Sequence, residues 1–251
     1  MKHNGEIEMY KMIVGNWKMN GTSADLEEFF DFANDWLNPM FDLMICPPAT
    51  LIGRMTGTSV MIGAQDCHAD VKGAHTGDIS AEMLADAGAT HVIVGHSERR
   101  TDHAETNAMV AAKTNAAWNA EMKVILCIGE TEAQYRAGET LDVLRTQMAE
   151  SIPDGAMKTN ITIAYEPVWA IGTGLTPTLQ EIADVHAFIR ETLVARFGDA
   201  GAAMPLLYGG SVKASNARDI FVLPNVNGGL VGGASLRKAD FTPICSALEQ
   251  A

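Results

Sequence analysis

The amino-acid sequence predicts an α/β fold: a (β/α)8 barrel of eight parallel strands inside an outer ring of helices, with residues 1–251 forming a single domain. Three observations lead there. Eight short apolar runs are spaced along the chain, segments of helical period lie between them, and the first run leads into no dinucleotide-binding turn. The length, 251 residues, is that of one ordinary barrel.

The strand-like runs are Met12–Gly15, Asp42–Cys46, Val60–Ala64, His91–Gly95, Lys123–Gly129, Ile161–Tyr165, Pro205–Gly209 and Gly229–Gly232. Most are apolar throughout rather than alternating, as parallel strands covered on both faces are. After the first comes a helix signal: Thr22 and Asp25 make a T-x-x-D start, and Leu26, Phe29, Phe30, Ala33 and Leu37 recur on one helical stripe. Ile182, Val185, Ile189 and Leu193 form a second stripe between the sixth and seventh runs, and Leu141, Leu144 and Met148 a weaker one. No linker or low-complexity stretch interrupts the alternation, so the elements belong to one barrel. An open doubly wound sheet would need G-x-G-x-x-G after its first strand, where this chain has Gly15-Asn16-Trp17-Lys18.

The formal net charge of −13 makes nucleic acid and anionic membrane unfavourable partners. No apolar run approaches the ~18 residues of a membrane span. Met1–Lys11 carries Lys2, His3, Glu6 and Glu8 rather than an apolar signal core, so a soluble, cytoplasmic protein is expected. Cys46, Cys67, Cys127 and Cys245 lie far apart with no C-x-x-C pair, which points to free thiols rather than disulfides or structural zinc. An anionic ligand would have to be held by a local site that overrides the global charge.

In a barrel the chemistry sits on the loops that follow the strands. After the first strand come Asn16 and Lys18; after the fourth, Gly95-His96-Ser97-Glu98-Arg99-Arg100; after the sixth, the run from Glu166 to Gly174. The seventh is followed by Gly209-Gly210-Ser211 and the eighth by Gly232-Gly233-Ala234-Ser235. Taken singly each has a bland reading. A Glu after a strand is ordinarily a solvated helix-start carboxylate, a glycine pair is ordinarily a turn, and a lone histidine is ordinarily a surface or satisfied core residue. That last reading is kept for His3, His68, His75, His91, His103 and His186. Joint placement at one barrel mouth changes the balance. It brings together a base, an imidazole, an ammonium and two glycine clusters whose bare backbone N–H groups can close on a phosphate.

Other chemistries lack their signatures. G-x-S ends at Ser97, Ser211 and Ser235, but none has the second glycine of a hydrolase elbow. His96-Ser97-Glu98 has no P-C-x-x-C partner for a zinc deaminase, and there is no G-x-x-x-x-G-K-[ST] for nucleotide hydrolysis.

Asn16-Trp17-Lys18, Gly95–Arg100, Cys127-Ile128-Gly129-Glu130, Ala164–Gly174, Tyr208–Val212 and Leu230–Leu236 together resemble the signature blocks of the triosephosphate isomerase family. They run in the family's order over nearly the whole chain. The resemblance implies the TIM-barrel fold and a cofactor-free, metal-free isomerase interconverting dihydroxyacetone phosphate and glyceraldehyde 3-phosphate through an enediolate, a step of glycolysis and gluconeogenesis. On it, Glu166 matches the catalytic base and His96 the electrophile. Lys18 and Asn16 match the groups that stabilise the intermediate, and Glu98 a carboxylate that positions Lys18. Gly172, Ser211, Gly232 and Gly233 match the phosphate grip, and Pro167–Thr173 the mobile lid. Gln65–Ser80 resembles the third loop of a homodimer, with Thr76 reaching the partner's site and Met19 near the contact. Two departures stand out. Asn227 replaces an Asp that pairs with an arginine, leaving Arg190 a neutral hydrogen bond or a different partner, and Ala104 replaces a Gly. The competing readings are an isomerase of the same family acting on a four-carbon ketose phosphate (erythrulose phosphate) and a non-catalytic phosphate-binding scaffold.

Overall fold

Eight parallel strands pair in chain order and close on themselves: β1 (Met12–Asn16), β2 (Asp42–Cys46), β3 (Met61–Ala64), β4 (His91–Val94), β5 (Lys123–Ile128), β6 (Ile161–Tyr165), β7 (Leu206–Tyr208) and β8 (Gly228–Val231). The computed structural model describes residues 10–171 and 175–251. Closure comes from β1, which pairs with β2 through Met12↔Asp42 to Asn16↔Cys46 and with β8 through Met12↔Gly228 to Gly15↔Val231. The strands expected from the sequence are these eight, each within about two residues of its observed bounds.

Side chains alternate across each strand, so every second residue points into the barrel. Met12, Val14, Met44, Cys46, Ile93, Ile125, Cys127, Ala164, Leu207 and Leu230 form that inner core. Their neighbours face outward and join a larger cluster with the helices, which is why the runs read as continuously apolar. Extending the inward rows one step past the core places Asn16, Glu166, Gly209 and Gly232 at the C-terminal mouth. One step the other way places Asp42, His91, Lys123 and Thr162 at the N-terminal end.

The helices follow their sequence signals with local adjustments. Thr22 closes a capping box with Asp25, and helix Leu26–Asp35 buries Leu26, Phe29, Phe32 and Ala33. Phe30 and Leu37, placed on the buried stripe by their spacing, are instead exposed. A short 3-10 turn at Ser23–Asp25 precedes the helix and it stops at Asp35 before reaching Leu37, so Phe32 fills the inward face. Helix Leu179–Phe197 buries Ile182, Val185, Ile189 and Leu193 as expected, together with His186. In helix Thr140–Ser151, Leu144 and Met148 are buried but Leu141, one residue from its start, is exposed.

All four cysteines are buried free thiols, and burial pushes each above its ordinary range, Cys67 up to about 12. Arg190 donates to Asn225 Oδ1 at 3.3 Å and to the Gly201 carbonyl at 2.5 Å, partners other than a carboxylate. Asn227 Oδ1 accepts from the backbone N–H of Leu206 at 2.8 Å. Among the described residues no helix is long and apolar enough to cross a membrane.

Candidate active site

A cavity of about 440 Å3 opens at the C-terminal mouth, lined by Asn16, Lys18, His96, Glu166, Ser211, Gly232 and Gly233, with Ile171, Gly209, Gly210, Val212, Lys213, Leu230 and Ala234. Asn16, Lys18, His96, Glu166, Ser211, Gly232 and Gly233, all expected from the sequence, thus line one cavity, while Gly172 lies outside the described residues. Glu98 reaches the site through Lys18 rather than lining the cavity. Thr76 is exposed on the third loop and does not line the cavity of its own chain.

Glu166 follows β6 and continues the inward row from Ala164, which explains why a carboxylate ends 2% exposed. Two glycines make room for it. A Cβ at Gly209 would stand 2.7 Å from Glu166 Cγ, and one at Gly129 would stand 1.7 Å from the Glu166 carbonyl oxygen. The carboxylate is held from both sides: Oε1 lies 3.1 Å from His96 Nε2, and Oε2 accepts from the backbone N–H of Ser97 at 3.2 Å. Burial pushes this carboxyl upward, yet His96, the Ser97 N–H and Lys18 outweigh burial and hold it below its usual value.

His96 caps helix Ser97–Asp102, and its Nδ1 accepts the backbone N–H of Glu98 at 3.2 Å. A ring nitrogen that accepts carries no proton, so the neutral tautomer has its hydrogen on Nε2, aimed at Glu166. Burial pushes His96 down, but the adjacent Glu166 carboxylate reverses the balance and raises it. That raising depends on Glu166 staying beside the ring. With the carboxylate turned to another partner, burial and the helix N-terminus both favour the neutral imidazole.

Lys18 has φ +53°, an unusual left-handed backbone for a side chain of its size. Three contacts hold it there. Its N–H donates to Asn16 Oδ1 at 2.9 Å, its carbonyl accepts from Gln65 Nε2 at 2.8 Å, and its ammonium lies 2.6 Å from Glu98 Oε1. Gln65 also donates to the Cys46 carbonyl at 2.9 Å, tying the ends of β1, β2 and β3 together. Trp17 Nε1 donates to the Ser235 carbonyl at 3.1 Å, which fixes the loop after β8 against β1.

The segment after β6 is anchored at its start. Trp169 Nε1 donates to Glu130 Oε1 at 2.8 Å, the Tyr165 hydroxyl lies 3.3 Å from the same oxygen, and Tyr135 stacks on Trp169 at 4.3 Å. Gln65 and Glu130, which the sequence marked only as members of longer blocks, and Lys213 were given no role at the site from the sequence. Gln65 stands directly after β3 and Glu130 two residues after β5, so the rule that marked Asn16 and Glu166 could have found them. His68, Asp70 and His75 bring potential metal-ligating atoms within 4.8 Å of one another on the third loop; none of the three lines the cavity.

The arrangement offers a buried carboxylate and an imidazole at one end of a cavity, with an ammonium beside them. At the other end, backbone N–H groups of glycine loops, Ser211 and Lys213 can grip an anion. It is equipped to move a proton next to a carbonyl in a small phosphorylated molecule.

The family model for triosephosphate isomerase matches residues 11–248. The triosephosphate isomerase of Ruegeria pomeroyi is 59% identical over 246 residues, covering 96% of this chain and 98% of that protein. That of Rhizobium meliloti is 54% identical, covering 95% and 96% respectively. The crystal structure of triosephosphate isomerase from Bartonella henselae superimposes with a TM-score of 0.90 at 48% identity, covering 95% of this chain and 99% of that one. None of these matches favours a four-carbon substrate or a silent scaffold.

Proposed function

The chain belongs to the triosephosphate isomerase family, and we propose that Glu166, His96, Lys18 and Asn16 carry that family's reaction in it. The enzyme interconverts dihydroxyacetone phosphate and glyceraldehyde 3-phosphate by proton transfer through an enediolate, a step of glycolysis and gluconeogenesis. The observation that carries the residue assignment is the Glu166–His96 contact of 3.1 Å in a cavity whose other wall is glycine backbone and Ser211.

Substrate phosphate rests on Ser211, Gly232 and Gly233, with Gly172 as a further member of the grip. Glu166 turns from His96 and Ser97 toward the substrate carbon and removes its proton. Leaving those partners strips away the interactions that hold its carboxyl low, while burial persists, so the carboxylate becomes a stronger base where it is needed. His96 Nε2–H, freed from Glu166, donates to the carbonyl oxygen as charge develops there. Lys18 stabilises the same oxyanion and Glu98 fixes its direction. Asn16, whose Oδ1 is committed to the Lys18 N–H, has its amide NH2 left to donate. Pro167–Thr173 serves as the lid that keeps water from the enediolate.

We also read residues 1–251 as one barrel domain, supported by the pairing of the first strand with the last. The homodimer reading rests on the third loop, where Thr76 is exposed, and on Met19, which is 97% exposed beside the active-site lysine. A cytoplasmic location fits a reaction on soluble sugar phosphates.

The test is Glu166→Asp. Shortening the base by one methylene retracts it by about 1.5 Å and should lower kcat by roughly 10²-fold or more, with affinity for inorganic phosphate within about twofold. Solvent deuterium incorporation into dihydroxyacetone phosphate should slow in parallel. Unchanged turnover and exchange would remove Glu166 from the role of base.

A further inference from the structure

The barrel has a second cavity, of about 340 Å3, whose lining among the described residues includes Lys123, Lys158 and Arg190 but no aspartate or glutamate. It lies at the N-terminal end, where Lys123 begins β5, Ile161 begins β6 and Pro205 precedes β7. Three fixed positive charges facing one space are unexpected in a chain with net charge −13. Among the described residues no carboxylate forms an ion pair with any of the three. Asp42, on the inward row of β2, feels Lys123 electrostatically without lining the cavity. Arg190 spends its hydrogen bonds on neutral oxygens of Asn225 and Gly201. The floor is polar and deeply buried: His91, Thr162 and Asn227 are each 5% exposed or less. Burial, with Lys123 adding to it, pushes His91 down to about 3, so it stays neutral and the positive charge of the cavity comes from the two lysines and Arg190.

We propose that this cavity is an anion site, taking phosphate or carboxylate groups on Lys123, Lys158 and Arg190 at the end of the barrel opposite the triose phosphate. Like charges held together in a partly closed space are stabilised when an anion sits between them, and guanidinium and ammonium groups supply charge-assisted donors for it. Two sources share this chemistry. One is a free polyanion from solution. The other is the chain itself: Tyr10 lines the cavity, and Glu8 and Glu6 precede it by two and four residues.

Calorimetric titration with inorganic pyrophosphate at low ionic strength separates these. If the anion comes from solution, the wild-type protein shows two binding events per chain. Ser211→Ala weakens one, and Lys123→Gln/Lys158→Gln abolishes the other or weakens it at least about tenfold. Both lysines are exposed and distant from the catalytic mouth, so turnover of that double variant stays within twofold and reports an intact fold. If Glu6 and Glu8 occupy the cavity, wild type shows one event, and Glu6→Gln/Glu8→Gln uncovers a second that the lysine substitutions remove. A single event in both backgrounds, or a second event indifferent to Lys123 and Lys158, overturns the proposal. Neither result bears on Glu166, whose role is read from turnover.

Discussion

Gly209→Ala tests whether the space reserved for Glu166 is what makes it a base. The added methyl would stand 2.7 Å from Glu166 Cγ and 3.6 Å from its Oε1. Carbon atoms in contact settle at about 3.5 Å, so relief requires a displacement of roughly 0.8 Å. The methyl cannot simply retreat, because the Tyr165 carbonyl oxygen would be 3.1 Å from it. The side chain of Glu166 therefore gives way. A misplacement near 1 Å at a reacting group costs on the order of 10²-fold in rate, or about 2.7 kcal/mol of transition-state stabilisation. Ser211, Gly232 and Gly233 are not displaced by this methyl, so affinity for inorganic phosphate should hold within about twofold. The assay is coupled turnover of glyceraldehyde 3-phosphate beside a phosphate titration and a thermal melt. A kcat within threefold of wild type, with an unchanged melt, would show that Glu166 tolerates the intrusion and that the tight fit is incidental.

Ser211→Ala removes a donor from the anion grip and should raise the dissociation constant for inorganic phosphate about tenfold; unchanged affinity would count against that end of the cavity. Ala104 has φ +53°, a left-handed conformation costing a non-glycine residue about 1–2 kcal/mol. Ala104→Gly relieves this and gives back about 0.5–1 kcal/mol through glycine's freer unfolded chain, leaving a net gain of about 0.5–1 kcal/mol and ~1–4 °C in Tm. A lower Tm would contradict the strain. His186 is buried and pushed down to about 4, first by desolvation, against an ordinary value near 6.5. Between those values the unfolded chain binds the proton and the folded chain does not, so stability falls as pH drops from about 6.5 toward 4. At pH 5 the loss is about 2 kcal/mol from this residue. Denaturant midpoints at pH 7 and pH 5 should differ less in His186→Gln, and an equal pH dependence in the variant would refute the assignment.

The strand ends were legible because a parallel barrel strand is buried on both faces, and its apolar run stops where backbone reaches solvent. Asn16, Lys18, His96 and Glu166 could be picked out as polar residues standing at such stops. Helical spacing was less decisive. It placed Phe30 and Leu37 inside, where the structure turns both outward, because the 3-10 turn at Ser23–Asp25 and the stop at Asp35 reset which residues face the barrel. The support for Lys18 was not legible either. Gln65 acts on the Lys18 carbonyl from 47 residues away, a contact with no periodic or motif signal.

By itself the sequence determined the order of strands and helices, the loops that carry chemistry and the family to which the chain belongs. Each of those is written in local patterns of burial and in short motifs. Only the tertiary structure decided that Glu166 rests against His96 and Ser97, that Gly129 and Gly209 reserve its space, and that three cations at the far end share one cavity without an ion-paired carboxylate among the described residues. Such facts depend on distances between residues far apart in the chain, and those distances exist only once the barrel has closed.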